Sequence, residues 1–233
     1  MTVTVHRAAD RFRTTTDWLD SWHSFSFGPH FDPANRGHGL LVVSNDDVIA
    51  PGTGFGTHPH RDMEILTWVL EGSLEHRDSE GNHGLIEPGV AQRMSAGRGI
   101  RHSEHNASRT VPLRLVQMWV LPDTPDLDLG YEQAWVGDDL ATGALVPIAS
   151  GRGDAAITIH QRDAVCLVGR PGPGATVTVP DAPHVHVYVA RGSVTFSGGV
   201  ALAEGDAARL TGAGPVGLTA GPDGAEVIVW ATA

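Results

Sequence analysis

Two short clusters of the sequence contain the side-chain types that hold transition metals in proteins. His58 and His60 flank Pro59, and His102 and Glu104 flank a serine. Residues two apart share a face on a β-strand but diverge by roughly 200° on a helix, so each pair converges only in extended chain. Pro59 agrees with this, because proline is excluded from helix interiors but tolerated at a strand start, edge or bulge. The spacing therefore predicts two strands that each present a pair of ligands.

The donor set itself indicates catalytic rather than structural metal chemistry. Three neutral imidazoles and one carboxylate suit Fe(II), Mn(II), Co(II), Ni(II), Cu(II) or Zn(II), and they leave coordination positions open for O₂ or a chelating substrate. The chain has one cysteine, Cys166, and it lies far from the clusters in sequence, which argues against a structural zinc site. We expect one divalent transition metal, with Fe(II) as the first candidate.

Glu64 is an alternative carboxylate ligand. It has the same parity as His58 and His60, so on an unbroken strand it would share their face, and spacing alone does not choose between Glu64 and Glu104. Several other histidine, methionine and tryptophan residues could belong to a site, but we expect them to be structural, solvent-facing, or part of the core or pocket wall. They are His76, His83, His105, His184, His186, Met63, Trp68 and Trp119.

Composition excludes several classes of function. The 233 residues carry 16 basic and 27 acidic side chains, a formal charge of −11, and no basic tract, which argues against direct binding of nucleic acid or an anionic membrane. All basic residues are arginine, so lysine Schiff-base chemistry and a P-loop lysine are excluded. The start of the sequence lacks an apolar signal region and no apolar run is long enough to span a membrane, so we expect a cytoplasmic protein.

Short apolar and β-branched runs, separated by turn residues, predict an all-β fold. With 29 Gly and 15 Pro, the chain has many turns and room for few helices. The predicted strands are residues 40–44, 64–74, 112–121, 156–160, 175–179, 184–190, 193–196 and 226–230. This number of short strands is typical of sandwiches and barrels.

An internal repeat indicates two related domains. Residues 68–74 align with 188–194 at an offset of 120, and each segment is followed by a second Gly-containing turn. At this offset His58 and His60 correspond to Thr178 and Pro180, so the second half lacks the metal set. We expect an N-terminal metal-binding domain over residues 1–135 and a C-terminal domain without a metal site over 136–233.

The motifs resemble those of a known family. The first cupin motif is matched by Gly52, His58, His60, Glu64 and Gly72, and the second, with Gly in place of its usual Pro, by Gly97, Gly99, His102 and Asn106. The wording of GFGTHPHRDMEILTWVLEGSLEHRDSEGN and PGVAQRMSAGRGIRHSEHN is similar to the pirin family of the cupin superfamily, in particular its bacterial quercetin 2,3-dioxygenase-like branch. This resemblance covers residues 17–133.

The resemblance implies a bicupin, that is, two β-sandwich or jelly-roll barrel domains with few short helices, of which the C-terminal one has lost its metal. It also implies that the ligands are His58, His60, His102 and Glu104. Glu64 would then lie behind the ligands or in the pocket wall.

The implied function is a metal-dependent dioxygenase that opens flavonols such as quercetin with O₂ and releases carbon monoxide. Glu104 would be the catalytic base toward the 3-hydroxyl group of the flavonol. The alternative is a redox- or metal-sensing regulatory pirin that acts by binding a protein partner. The expected partners are thus a small aromatic substrate and O₂ in the first case and another protein in the second.

Overall fold

A computed structural model describes residues 2–233, and nearly every regular element in it is a β-strand, which confirms the predicted all-β class. A 3₁₀ turn (Ala8–Asp10) and one short helix, α1 (Gly137–Leu140), are the helical segments of these residues. The strands are β1 (Thr2–His6), β2 (Phe12–Thr15), β3 (Leu19–His23), β4 (Leu41–Ile49), β5 (Gly54–His60), β6 (Glu64–Glu71), β7 (Leu74–Asp78), β8 (His83–Ile86), β9 (Val90–Ser95), β10 (Ile100–Asn106), β11 (Leu113–Val120), β12 (Gly130–Trp135), β13 (Leu145–Ser150), β14 (Ile157–Thr158), β15 (Ala164–Gly169), β16 (Thr176–Val179), β17 (His184–Phe196), β18 (Ala201–Ala203), β19 (Ala207–Thr211) and β20 (Val216–Thr232).

The strands form three sheets. A four-stranded sheet has the order β5-β10-β7-β8, and a seven-stranded sheet has the order β12-β9-β6-β11-β4-β3-β2. A nine-stranded sheet contains the strands from β13 onward together with β1, which pairs with β19. Most predicted strands lie in these sheets, but residues 156–160 form only the two-residue β14, and 184–190 and 193–196 are parts of the single long strand β17.

The central strands β6 and β11 of the seven-stranded sheet are buried on both faces. On β11, Leu113 and Leu115 pack with Leu74 and Ile86 of the four-stranded sheet, whereas the alternating residue Met118 belongs to the core shared with the nine-stranded sheet. Because successive strand residues point to opposite faces, one side of this sheet belongs to the N-terminal sandwich and the other to the contact between the halves.

The chain is not an unbroken strand from His58 to Glu64, so the condition under which Glu64 would share the face of the histidines is not met. β5 ends at His60, the chain turns through Asp62, which has a φ of 49°, and Glu64 begins β6 in a different sheet. Pro59 lies as expected on an edge strand, because β5 is the outer strand of the four-stranded sheet. Within residues 2–233 no helix has the length and apolarity needed to cross a bilayer.

Gly54 allows β5 to approach β10 closely. A Cβ atom at this position would collide with the backbone carbonyl oxygen of Glu104 and would lie 2.5 Å from the Cα atom of His105. Gly56, two residues further along β5, has nothing within 4 Å of the equivalent point. The absence of a side chain at Gly54 is therefore a steric requirement of the β5–β10 pairing.

Replacing Gly54 with Ala should lower the free energy of unfolding by about 1–3 kcal/mol, because the added methyl group forces the two backbones apart. Gly56→Ala is the matched control on the same strand, and it should change stability by less than about 0.5 kcal/mol. Urea unfolding of both variants measures the difference. Equal stabilities would show that the close approach is not a constraint.

Candidate metal centre

Three histidine rings meet where β5 pairs with β10. The two strands are antiparallel, and His102 lies directly opposite His58. The ring centroids are 4.4 Å apart for His58 and His102, and 4.9 Å apart both for His58 and His60 and for His60 and His102. One ring nitrogen of each residue lies within 4.8 Å of the others, a spacing at which one ion can contact all three. The predicted pairing of the two clusters is thus present in the fold.

Glu104 lies beside this group and is held in place by an amide. Its Oε2 atom is 4.0 Å from Nε2 of His102. The side chain of Gln117, on β11, donates from Nε2 to both carboxylate oxygens, at 3.0 and 2.9 Å, and itself accepts a hydrogen bond of 3.0 Å from Nε1 of Trp119. The orientation of the carboxylate is therefore set by the neighbouring sheet.

In His58 and His102, a hydrogen bond at Nδ1 leaves Nε2 of the same ring available to a metal ion. At the irregularity between β5 and β10, Nδ1 of His58 lies 2.8 Å from the carbonyl oxygen of Gly56, to which it can only donate, so Nε2 keeps its lone pair. On the other side, Nδ1 of His102 is 3.5 Å from Nδ1 of His76, whose Nε2 is 3.4 Å from Oδ2 of Asp78. This chain orients the His102 ring in the way that carboxylates and carbonyls orient metal-binding histidines.

Nε2 of His102 shows that the donor set fits a metal ion. This atom is buried and has no hydrogen-bond partner among residues 2–233. An unpaired buried nitrogen costs free energy, and coordination to a cation offsets that cost.

Burial also sets the charge state of the group. Burial, assisted by the neighbouring histidines, lowers the pKa of His60 to about 4 and that of His102 to about 2. These imidazoles are therefore neutral at pH 7, the form that binds metal. Burial raises the pKa of Glu104 to about 7, opposed by the hydrogen bonds from Gln117 and assisted by the charge of Asp47. A cation beside Glu104 would favour its ionised form.

A cavity of about 310 Å³ opens onto His58, His60 and Glu104. Much of its wall is apolar or aromatic, including Phe27, Pro29, Phe55 and Trp119. The Trp119 ring packs edge-on against His60, with 4.9 Å between centroids. The volume is at the lower end of the range of about 300–1,000 Å³ that is typical of small-molecule sites.

The floor of the cavity contains polar residues that the sequence reasoning missed. They are Ser21 and His23 of β3 and Asn45 and Asp47 of β4, and all four are buried. Burial raises the pKa of Asp47 to about 7, and the hydrogen bond from Ser21 opposes this. The signal was present in β4, where four consecutive polar residues, 44–47, interrupt an apolar strand.

Glu64 takes no part in this group. It faces the nine-stranded sheet, as do Leu66 and Trp68, and it accepts hydrogen bonds from Oγ of Ser95 at 2.9 Å and from the backbone N–H of His160 at 3.1 Å. The sequence left Glu64 open as a ligand because spacing does not reveal the turn before it.

The other residues occupy structural or wall positions as expected. Trp68 is in the core, where Nε1 donates to Glu226 at 2.8 Å, and Trp119 lines the cavity. His76 is buried, and its contact with His102 was not foreseen. It also forms a second potential ligand group with His102 and Glu104.

The sheets and the cluster together define a β-sandwich protein with a His–Glu group suited to a divalent metal ion. The sequence profile of the Pirin family matches residues 5–120. A protein of Mycobacterium tuberculosis, whose assigned activity of quercetin 2,3-dioxygenase is provisional, is 55% identical over 231 residues, covering 98% of this chain and 94% of that one. The quercetin 2,3-dioxygenase of Escherichia coli K12 is 46% identical over 157 residues, which is 67% of each chain.

Solved structures agree with the sequence matches. The crystal structure of YhhW from E. coli superposes with a TM-score of 0.93 at 36% identity and covers 100% of this chain and 98% of that one. A structure of this bacterial pirin in complex with nickel(II) gives a TM-score of 0.91 at 36% identity, covering 99% of each chain. The chain therefore belongs to the pirin family and has its bicupin fold, as predicted.

Replacing His102 with Ala should reduce Ni(II) affinity by at least about 100-fold, because it removes the buried nitrogen that lacks any other partner. His105→Ala is the matched control, since His105 lies on the same strand with opposite parity and should leave affinity unchanged. Calorimetric titration of metal-free protein measures both. Wild-type affinity in His102→Ala would contradict the assignment.

Asp47→Asn should change how stability depends on pH. The folded-state pKa of about 7 exceeds the ordinary aspartate value of 3.8, so the folded state binds the proton more tightly, and stability is lost as pH rises from about 4 to 7. Asn does not titrate, so the free energy of unfolding of the variant relative to wild type should rise across this window, by ~4 kcal/mol at most.

Urea unfolding of metal-free protein at several pH values measures this difference. Asp20→Asn is the control, because the hydrogen bond from Arg13 lowers the pKa of Asp20, and its effect has the opposite sign. Parallel pH profiles of Asp47→Asn and wild type would refute the raised pKa.

Proposed function

We propose that this protein is a metal-dependent dioxygenase that opens the heterocyclic ring of flavonols such as quercetin, consuming O₂ and releasing carbon monoxide. The observation that carries the proposal is the position of the His–Glu group at the wall of a cavity of about 310 Å³ that aromatic side chains also line. The names of the relatives support the same reaction.

Four residues would hold the ion, through one ring nitrogen each of His58, His60 and His102 and through the carboxylate of Glu104. Fe(II) is the ion we propose, and Mn(II), Co(II), Ni(II), Cu(II) and Zn(II) suit the same donors. The bound ion would supply a Lewis acid for substrate oxygen atoms and, for a redox-active metal, an electron partner for O₂.

Glu104 would take the proton from the 3-hydroxyl group of the flavonol. A carboxylate accepts a proton only in its ionised form, which a cation beside Glu104 would favour. Gln117 holds both oxygens of the carboxylate, so the group is in position before substrate arrives. Loss of the proton leaves a flavonolate, which is the electron-rich form that reacts with O₂.

The aromatic residues would position the substrate ring and exclude water. Phe27 and Trp119 pack edge to face, with 5.5 Å between centroids, and Phe55 lies 6.2 Å from the ring of His58. A planar ligand bound between these walls would lie next to the candidate ligands and away from bulk water, which strengthens the electrostatic interactions of Glu104.

Metal-free protein loaded with Fe(II), Co(II) or Ni(II) should bleach the absorbance of quercetin, with matching O₂ uptake and carbon monoxide release. His60→Ala should abolish the metal-dependent rate, and Glu104→Gln should lower it by about 10²–10⁴-fold because the base is removed. Glu75→Gln, a change at a partly exposed carboxylate on β7, is the control and should keep full activity. Full activity in His60→Ala, or none with any ion, would refute the proposal.

A further inference from the structure

The polar residues of the cavity floor form a strip that starts at the candidate metal centre. We call Asn45, His23, Asp47 and Ser21 the polar strip. Across the seven-stranded sheet, Asn45 of β4 pairs with Gln117, the residue that binds Glu104, and His23 of β3 pairs with Asn45. Neighbouring strands are about 4.8 Å apart, so across the sheet Asn45 lies roughly 5 Å and His23 roughly 10 Å from Gln117, and Asp47 lies on the same strand as Asn45.

Hydrogen bonds within the strip leave two polar atoms without a partner. Nδ1 of His23 lies 2.9 Å from Oδ1 of Asn45, and Oγ of Ser21 donates to Oδ1 of Asp47. No hydrogen bond within residues 2–233 involves Oδ2 of Asp47 or Nδ2 of Asn45, and both residues line the cavity. The strip thus offers one acceptor and one donor to an occupant.

The adjacent residue Asp46 shows what a purely structural carboxylate looks like in this sheet. It points to the opposite face, where Arg114 donates to it from Nε at 3.1 Å and from Nη2 at 2.9 Å, and the hydroxyl of Tyr188 donates as well. Asp47 is equally buried, but the hydrogen bond it receives comes from a neutral hydroxyl. A buried carboxyl with one neutral donor is costly unless a ligand supplies further partners.

The rest of the cavity limits the shape of that ligand. Phe27, Phe55 and Trp119 are aromatic residues that line the same cavity as the candidate metal centre and the polar strip. An occupant that binds the ion and also hydrogen-bonds to the strip is flat and aromatic and carries more than one hydroxyl group.

We propose that the polar strip binds ring hydroxyl groups of a planar polyhydroxylated aromatic substrate, other than the reacting hydroxyl, through Oδ2 of Asp47 and Nδ2 of Asn45. This assignment rests on the proposed function and narrows its substrate class. Asp47 and Asn45 are accordingly specificity-determining residues that select multiply hydroxylated flavonols over those with the 3-hydroxyl alone.

The test compares two ligands in two proteins. Quercetin and 3-hydroxyflavone both carry the reacting hydroxyl, but 3-hydroxyflavone lacks the ring hydroxyls. Equilibrium binding to Ni(II)-loaded protein without O₂, followed by ligand absorbance, gives the dissociation constants. Asp47→Ala should raise the dissociation constant of quercetin by about tenfold, the effect of losing one hydrogen bond to a charged group. The dissociation constant of 3-hydroxyflavone should change by less than about twofold.

Two further variants complete the experiment. Asn45→Ala tests the donor independently if Asp47→Ala does not fold, and it should discriminate between the ligands in the same direction. Phe55→Leu alters the apolar wall and should weaken both ligands equally. Equal losses for the two ligands in Asp47→Ala and Asn45→Ala would overturn the assignment, as would failure of wild-type protein to bind quercetin.

Turnover in air, measured separately, distinguishes this inference from the proposed function. If wild-type protein oxidises quercetin but the variants lose equal affinity for the two ligands, the role of the polar strip is refuted and the proposed dioxygenase activity stands. If the variants selectively lose quercetin binding but the protein oxidises neither ligand, the role of the polar strip is supported and the proposed dioxygenase activity is refuted.

Discussion

The candidate metal centre depends on the antiparallel pairing of β5 with β10. This pairing sets His102 opposite His58, and the shared parity of His60 then brings the third ring to the same face. The approach requires Gly54, where a side chain would meet the backbone of β10. The irregularity between His102 and Glu104 places the carbonyl oxygen of Gly56 where it orients the His58 ring. The backbone geometry therefore prepares the ligand group before any ion binds.

The seven-stranded sheet connects this centre to the rest of the molecule. Its cavity face provides Gln117, which orients Glu104, and the polar strip beside it. Its opposite face packs against the nine-stranded sheet through a large apolar core that includes Met118 and Trp230. The C-terminal half thus supports the sheet on which the cavity is built. Its separation from the N-terminal half at residue 135, like the regulatory alternative, stays a prediction.

The sequence was sufficient to predict the features that depend on the alternation of side chains along a single strand. The i, i+2 spacing of His58–His60 and His102–Glu104 and the position of Pro59 were sufficient for two strands with convergent side chains, and the pirin resemblance added the bicupin architecture. Contacts between residues on neighbouring strands were not predictable in this way. The contact of His76 with His102 and the line from Gln117 to His23 exist only once strand order and register are set, and the turn at Asp62 turns Glu64 away.

X-ray absorption spectroscopy combined with a crystal structure of the metal-loaded protein tests the central claim most directly. We expect one ion bound by one ring nitrogen each of His58, His60 and His102 and by a carboxylate oxygen of Glu104, with His76 hydrogen-bonded behind His102. An ion held instead by His76, His102 and Glu104, without His58 and His60, would contradict it.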